Sequence, residues 1–120
     1  MLFWRKHTLR PEADDYFVLK PKHSVFFSST LDTLLTYLGA RTLILTGVAG
    51  NICVLFSAND AYMRVYHLVV PADCVASESV AENDHALRQM AAILAADTTP
   101  SDRLDLEGLM RRGAPAGPRS

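Results

Sequence analysis

The chain has 120 residues, 49% of them hydrophobic and 21% charged, and its formal net charge at pH 7 is −1. This length allows one compact domain with a single core and excludes two domains of ordinary size. The small net charge gives no electrostatic reason to expect binding to nucleic acid or to an anionic membrane, and no apolar run reaches the roughly 20 residues of a membrane span. The first ten residues lack the apolar stretch of a secretory signal, and two cysteines make a poor disulfide framework, so the sequence predicts a cytoplasmic protein.

Short apolar runs alternate with helical patterns along the chain. Strands are predicted at residues 15–19, 42–46 and 66–70. Helices are predicted at residues 30–38, 51–64 and 79–95. The second strand is apolar enough to be covered on both faces, and Asn51 is the expected N-cap of a well-buried second helix. Parallel strands joined by helices give a Rossmann-like α/β fold with three α-β-α layers.

The first and last helices have the clearest predicted ends. Gly39 stands where the first helix is expected to stop, and Ser79 and Glu82 have capping-box spacing at the start of the last helix. The last helix is expected to bury one face, made of Val80, Leu87, Met90, Ala91 and Leu94. Residues 97–106 are compatible with an edge strand, and residues 107–120 are predicted to be a disordered tail.

The turn at residues 46–53, Thr-Gly-Val-Ala-Gly-Asn-Ile-Cys, is the most informative stretch. It lies at the carboxyl end of a predicted parallel strand, where open α/β sheets bind their ligands. Cys53 falls in the first turn of the next helix, where free N–H groups and the helix dipole favour a thiolate. The small residues before it let a substrate carbonyl approach backbone donors. The alternative is an ordinary buried cysteine, since free cysteines are among the most buried residues.

Several other side chains are candidates, each with a structural alternative. Lys20 ends the first predicted strand on the ligand side, where it can stabilise a thiolate or an oxyanion, or it is simply a solvated lysine. His23 is either a hydrogen-bonding partner for substrate or an exposed loop residue. Asp60, two helical turns after the cysteine, is expected to make a structural hydrogen bond or salt bridge. Phe26 either walls a pocket or fills the core, and Cys74 is expected to be a small core residue.

Four linked segments carry a resemblance to a known family. They are Lys-Pro-Lys-His-Ser-Val-Phe at 20–26 followed by Thr-Leu-Asp-Thr-Leu-Leu at 30–35, the segment at 39–54 that ends in Gly-Val-Ala-Gly-Asn-Ile-Cys-Val, Ser-Ala-Asn-Asp-Ala at 57–61 and Val-Val-Pro-Ala-Asp at 69–73. These segments and their order resemble those of the isochorismatase-like cysteine hydrolases. This family includes nicotinamidase, N-carbamoylsarcosine amidohydrolase and ureidoacrylate amidohydrolase. Lys20 and Cys53 are separated by 33 positions, which is the family's typical spacing. The resemblance covers residues 14–94 and is to the C-terminal part of the family's domain.

The resemblance implies a set of roles for these residues. Cys53 would be the nucleophile and Lys20 the lysine of a catalytic triad, while the backbone N–H groups of Ala49 and Cys53 would form an oxyanion hole. A cis peptide bond between Val48 and Ala49 is also implied. The reaction would be hydrolysis of a small amide or related C–N bond through a thioester. Because the four histidines lack ligand spacing, neither a metal site nor a cofactor is expected.

Two local departures from the family pattern affect the expected pocket, which would include Phe26 and Asn51. Gly50 replaces the usual threonine, which loosens the turn and removes a hydroxyl group. Val25 replaces an alanine beside Phe26, which narrows the pocket.

The third departure concerns the general base. In the family this base is an aspartate from the N-terminal part of the domain, and neither Asp14 nor Asp15 matches its motif. The chain is therefore interpreted as a partial domain at residues 1–106, truncated at its N-terminus and predicted to be inactive alone. A non-catalytic fragment and a small-molecule binding module of the same fold are the alternatives. The expected partners are a small-molecule substrate and a second copy or another chain that completes the fold.

Overall fold

The computed structural model describes residues 10–113 as strands and helices in alternation. The helices are α1 (Leu31–Leu38), α2 (Leu55–Met63), α3 (Val80–Leu94) and α4 (Leu106–Gly113), with a π-helical turn at Gly50–Val54 and a 3-10 turn at Ser101–Arg103. The strands are β1 (Thr42–Ile44), β2 (Gly47–Val48), β3 (His67–Val69) and β4 (Val75–Ala76). The predicted α/β class is therefore confirmed.

The strands pair in parallel. β1 lies beside β3, with Leu43 opposite Leu68, and β2 lies beside β4. Asp97 forms a single parallel bridge with Val69, so β3 has a neighbour on each side. Within residues 10–113, in contrast, β1 pairs with β3 alone. One edge of β1 is consequently open in the described part of the chain.

The core lies between β3 and the helices α2 and α3. Successive residues of a strand point to opposite faces, and Leu68 of β3 and Val70, directly after this strand, both belong to the core. On α3, Leu87, Met90 and Leu94 are buried as predicted. The expectation was wrong for two residues of that helix, since Val80 is 78% exposed in its first turn and Ala91 faces solvent.

Two helix ends match their sequence signals. Gly39 ends α1 with a left-handed φ of 66°, a conformation that glycine adopts without a steric penalty. The Ser79 side chain accepts a hydrogen bond from the Glu82 N–H at the start of α3.

The predicted strand at residues 15–19 is wrong. The segment has no regular structure, and Tyr16, Phe17 and Leu19 are 62%, 76% and 90% exposed. An apolar run becomes a strand only when another strand supplies hydrogen-bonding partners, and no described strand pairs with this one.

The region after β1 also differs from expectation. Asn51 is not an N-cap, because helical structure already begins with the π-helical turn and Ala49 takes the cap position. α2 is not buried all round, since its buried residues Ser57, Ala58 and Ala61 form one face. β1 is not covered on both faces either, as Ile44 is 46% exposed.

The C-terminal region was predicted least well. The edge strand expected at residues 97–106 is reduced to the Asp97 bridge, because Pro100 and the 3-10 turn follow directly. Residues 106–113 form α4, so the expected disordered tail is wrong up to Gly113, and residues 114–120 lie outside the described residues. No helix within residues 10–113 combines the length and apolar character needed to cross a bilayer.

Candidate active site

The site is centred on Cys53, which lies in the π-helical turn between β2 and α2 and is half-buried. The Lys20 ammonium group donates a hydrogen bond to Cys53 Sγ over 3.4 Å. His23 Nδ1 lies 3.9 Å from the same sulfur. π-Helical turns are rare and are frequently found at functional sites. The hydrogen bond between Lys20 and Cys53 shows that the structure brings together two candidate residues that are 33 positions apart in the sequence.

The Lys20 segment is held against α2 by its own following residues. The Ser24 hydroxyl donates to the Asp60 carboxylate, and the Val25 N–H donates to Ser57 Oγ over 2.9 Å. Asp60 therefore has the structural role expected for it. Lys20 Nζ also donates to the Lys22 carbonyl oxygen over 3.0 Å, so the ammonium group contacts both this oxygen and the thiol.

His23 is another residue for which the sequence left two interpretations open. It is exposed, as one reading expected, and its ring meets that of Phe56 edge to face at 5.6 Å. This contact directs the imidazole toward Cys53. The available signal was its place three positions after Lys20 in the same segment.

The backbone near Cys53 restricts which N–H groups can meet a substrate. The peptide bond between Val48 and Ala49 is cis. The N–H groups of Ile52 and Val54 both donate to the Ala49 carbonyl oxygen, and that of Asn51 donates to Ser77 Oγ. These three donors are occupied, so they are poor candidates for an oxyanion hole. The pair predicted for that role, the N–H groups of Ala49 and Cys53, is not among them.

A cavity of about 330 Å³ opens beside the thiol. It is lined by residues of the Lys20 segment, of β1 and β2 and of the start of α2: Lys20, Val25, Ile44, Val48, Cys53 and Ser57. Lys20 is the charged residue among its described lining residues. The cavity therefore suits a small ligand that is neutral or carries negative charge.

The two predicted pocket residues lie elsewhere. Phe26 is 5% exposed and packs in the core beside Tyr66, under the guanidinium of Arg64, so it fills the core as its alternative reading stated. Asn51 lines a different cavity of about 440 Å³ together with residues of α3. Its Oδ1 is buried and has no hydrogen-bond partner among the described residues. The pocket beside the thiol has Val25 in its wall instead.

The second cysteine differs from expectation. Cys74 is half-exposed rather than a core residue, and its thiol meets Asp73 Oδ1 at 3.6 Å. Hydrogen bonds from the Ser101 hydroxyl and N–H hold the pKa of Asp73 below its usual 3.8. Cys74 therefore faces a carboxylate, whereas Cys53 faces an ammonium group. Between residues 10 and 113, no group of three or more His, Cys, Asp or Glu side chains is arranged to hold a metal ion.

The chain is similar to proteins from several microorganisms. The uncharacterized isochorismatase family protein YaaI of Bacillus subtilis is 51% identical over 96 residues, which are 80% of this chain and 53% of that protein. The nicotinamidase SaPncA of Staphylococcus aureus superposes with a TM-score of 0.67 at 34% identity, over 68% of this chain and 53% of that one. The N-carbamoylsarcosine amidase of Thermoplasma acidophilum gives a TM-score of 0.70 at 32% identity, over 80% and 54%.

The chain spans about half the length of each of these three relatives. The similarity includes the Lys20 and Cys53 segments, since the isochorismatase domain matches residues 6–101. A match over this much of the sequence, joined to the same fold, shows that the chain belongs to the isochorismatase family.

Proposed function

We propose that this domain takes part in the cysteine-dependent hydrolysis of a small amide or related C–N bond. The observation that carries the proposal is the contact between Lys20 Nζ and Cys53 Sγ, at 3.4 Å beside a small cavity. Two of the similar structures are named as a nicotinamidase and an N-carbamoylsarcosine amidase, which is the same class of reaction.

In the proposed reaction, Cys53 Sγ attacks the carbonyl carbon of the substrate as a thiolate. The ammonium group of Lys20 stabilises that thiolate, and the backbone N–H groups of Ala49 and Cys53 stabilise the negative oxygen of the tetrahedral intermediate. The C–N bond then breaks and the amine leaves with a proton, so that a thioester remains on Cys53. Water hydrolyses the thioester to a carboxylic acid and restores the thiol.

Proton transfer is the step for which this chain is poorly equipped. No Asp or Glu belongs to the described lining of the cavity, and His23 Nδ1 lies 3.9 Å from Cys53 Sγ, at the long end of hydrogen bonds to sulfur, so no described residue is closely placed as a general base. We propose that a carboxylate from outside the described residues completes the site. The chain by itself would then hydrolyse amides about 10²–10⁴-fold more slowly than a complete site does.

The open edge of β1 supports the related proposal that another polypeptide completes the sheet. β1 pairs with β3 alone within residues 10–113, and Ile44 beside that edge is 46% exposed. Native proteins avoid open, apolar strand edges because such edges pair with other chains. A second copy of this chain or a different chain would cover it. Both cysteines are free, which fits a location in the reducing cytoplasm.

A non-catalytic fragment and a ligand-binding module remain the competing proposals, and an activated ester separates them from the enzyme. p-Nitrophenyl acetate has a leaving group that needs no proton, so its reaction with Cys53 does not depend on the carboxylate proposed to complete the site. We expect a burst of about one equivalent of nitrophenol and an acetyl group on Cys53. Cys53→Ala should abolish the burst, while the matched control Cys74→Ala should keep it.

Two results would reject parts of the proposal. Equal acetylation of the two cysteines would remove the case for Cys53 as nucleophile. Turnover of nicotinamide by the purified chain that disappears in Cys53→Ala would show that no further carboxylate is needed. If that turnover also disappeared in His23→Gln, the imidazole would be the proton-transfer group.

A further inference from the structure

The space around Gly50 is the starting point for an inference about a residue far from Cys53 in sequence. Gly50 is buried at the start of the π-helical turn. A Cβ atom added there would lie 2.5 Å from Asn83 Oδ1 and 3.2 Å from Ser77 Oγ. The first distance is too short for any real contact, so a larger residue at position 50 would force Asn83 to move. A side chain at position 50 and the Asn83 amide would therefore occupy the same space.

Asn83 is itself fixed by hydrogen bonds that lead to the turn. The Asn51 N–H donates to Ser77 Oγ over 3.2 Å, and the Ser77 hydroxyl donates to Asn83 Oδ1 over 2.8 Å. Asn83 Nδ2 donates to the Val75 carbonyl oxygen over 3.3 Å. An amide supplies a donor and an acceptor at once, which is what this pair of bonds requires. The chain of bonds connects the first turn of α3 with β4 and with the turn that carries Cys53.

We infer that Asn83 is a positioning residue for Cys53, acting through Ser77 and the backbone of the π-helical turn. This inference rests on the proposed role of Cys53 as the nucleophile. The amide of Asn83 occupies the space that a side chain at position 50 would fill, and it fixes the turn from outside the cavity. A larger residue at position 50 and the Asn83 amide could not both keep their present positions, because a Cβ atom there would lie 2.5 Å from Asn83 Oδ1.

The two residues should consequently show coupled effects on the thiol. Without Asn83, Ser77 loses its acceptor and the Asn51 N–H is held less firmly. The turn then relaxes, and Cys53 Sγ moves with respect to the Lys20 ammonium group that stabilises its thiolate. With alanine at position 50, the displaced Asn83 has the same consequence. In the double variant the Asn83 amide no longer competes with a Cβ atom at position 50 for the same space. The Gly50→Ala change should then add no further effect to that of Asn83→Ala.

The experiment compares four versions of the 120-residue chain: wild type, Gly50→Ala, Asn83→Ala and the double variant. The second-order rate of alkylation by iodoacetamide is measured at Cys53 and at Cys74 in each protein over a range of pH. We expect either single change to slow Cys53 about threefold at neutral pH and to move its pH profile upward, with Cys74 unaffected. The double variant should be no slower than Asn83→Ala. Ser77→Ala removes only a hydroxyl group and should slow Cys53 in the same way, and it gives the same test if Asn83→Ala fails to fold.

Several outcomes would overturn the inference. They are an unchanged Cys53 rate in both Asn83→Ala and Ser77→Ala, a parallel fall at both cysteines, and effects of the two single changes that simply multiply in the double variant. A thermal unfolding midpoint measured beside each rate separates general destabilisation from a local effect on the thiol. No substrate enters this experiment, so failure of the proposed hydrolysis and failure of the Asn83 role give different results.

Discussion

Replacing Lys20 with methionine tests the central contact of the site, because it removes the ammonium group and nearly preserves the length of the side chain. Lys20 Nζ lies 3.4 Å from Cys53 Sγ, and the lysine is exposed, so the attraction is close to its value in water. Two unit charges about 4 Å apart in water attract by about 1 kcal/mol. Since about 1.4 kcal/mol is a factor of ten in an equilibrium constant, loss of this attraction corresponds to about a fivefold weaker stabilisation of the negative sulfur.

The rate of alkylation of Cys53 by iodoacetamide reports that stabilisation, because the thiolate is the reacting form. Mass spectrometry of peptides follows the two cysteines in one sample, with Cys74 as the internal reference. Lys22→Met is the matched control, since the structure brings the Lys22 carbonyl oxygen, and not its ammonium group, to Lys20. We expect Lys20→Met to slow Cys53 about fivefold at neutral pH and Lys22→Met to change it by less than about twofold.

Salt gives an independent check on the same pair. At 1 M ionic strength the Debye length is about 3 Å, so the advantage of the wild type over Lys20→Met should shrink. If the two lysine variants slow Cys53 equally, or if Lys20→Met leaves its rate unchanged, the ion pair does not control the thiol and the reasoning is wrong.

Three further predictions concern the fold. Met90→Ala, at a side chain with 0% exposure, should lower the free energy of unfolding by about 2–5 kcal/mol in urea titrations, whereas Ile93→Ala, at 62% exposure on the same helix, should cost less than about 1 kcal/mol. The Thr99 hydroxyl and N–H donate hydrogen bonds to Asp97 and hold the pKa of its carboxyl group below 3.8. The stabilisation that these bonds give the folded state is therefore fully present above pH 3.8, and it is lost as the pH falls through the lower pKa of the folded state. Asp97→Asn should therefore reduce the acid dependence of the unfolding midpoint, and an identical dependence in both proteins would contradict this. Amide exchange should be fast at residues 17–19 and slow at residues 43–45, and equal strong protection in a proven monomer would show that the first segment is paired.

Elements with local signals were predicted well from sequence. The stop of α1 at Gly39 and the start of α3 at Ser79 depend on the conformation of one glycine and on one hydrogen bond between neighbouring residues. β1 and β3 were found because their apolar runs are bounded by turns and proline. The segment at residues 15–19 has a similar apolar run, but its structure depends on a partner strand distant in sequence, and sequence periodicity carries no information about that partner.

The residues of the candidate site also differ in how far the sequence alone could predict their positions. Cys53 and Lys20 were candidates from their types and positions, the family resemblance implied their roles, and the structure places them in contact. Phe26 could not be assigned, because a phenylalanine beside a pocket and one in the core look alike in sequence. The role inferred for Asn83 has no sequence signal, since it depends on tertiary packing against Gly50.

The position of Lys20 shows how the site survives the absence of the predicted strand. Residues 15–19 do not hold the lysine, because they make no strand and are largely exposed. The chain is fixed instead from the other side, where Ser24 bonds to Asp60 and the Val25 N–H bonds to Ser57, both on α2. α2 continues directly from the π-helical turn that carries Cys53, so one helix positions both the thiol and the segment that brings the ammonium group to it. The Lys20–Cys53 contact therefore depends on α2 and on its hydrogen bonds to Ser24 and Val25. It should persist whether or not a partner strand later orders residues 15–19.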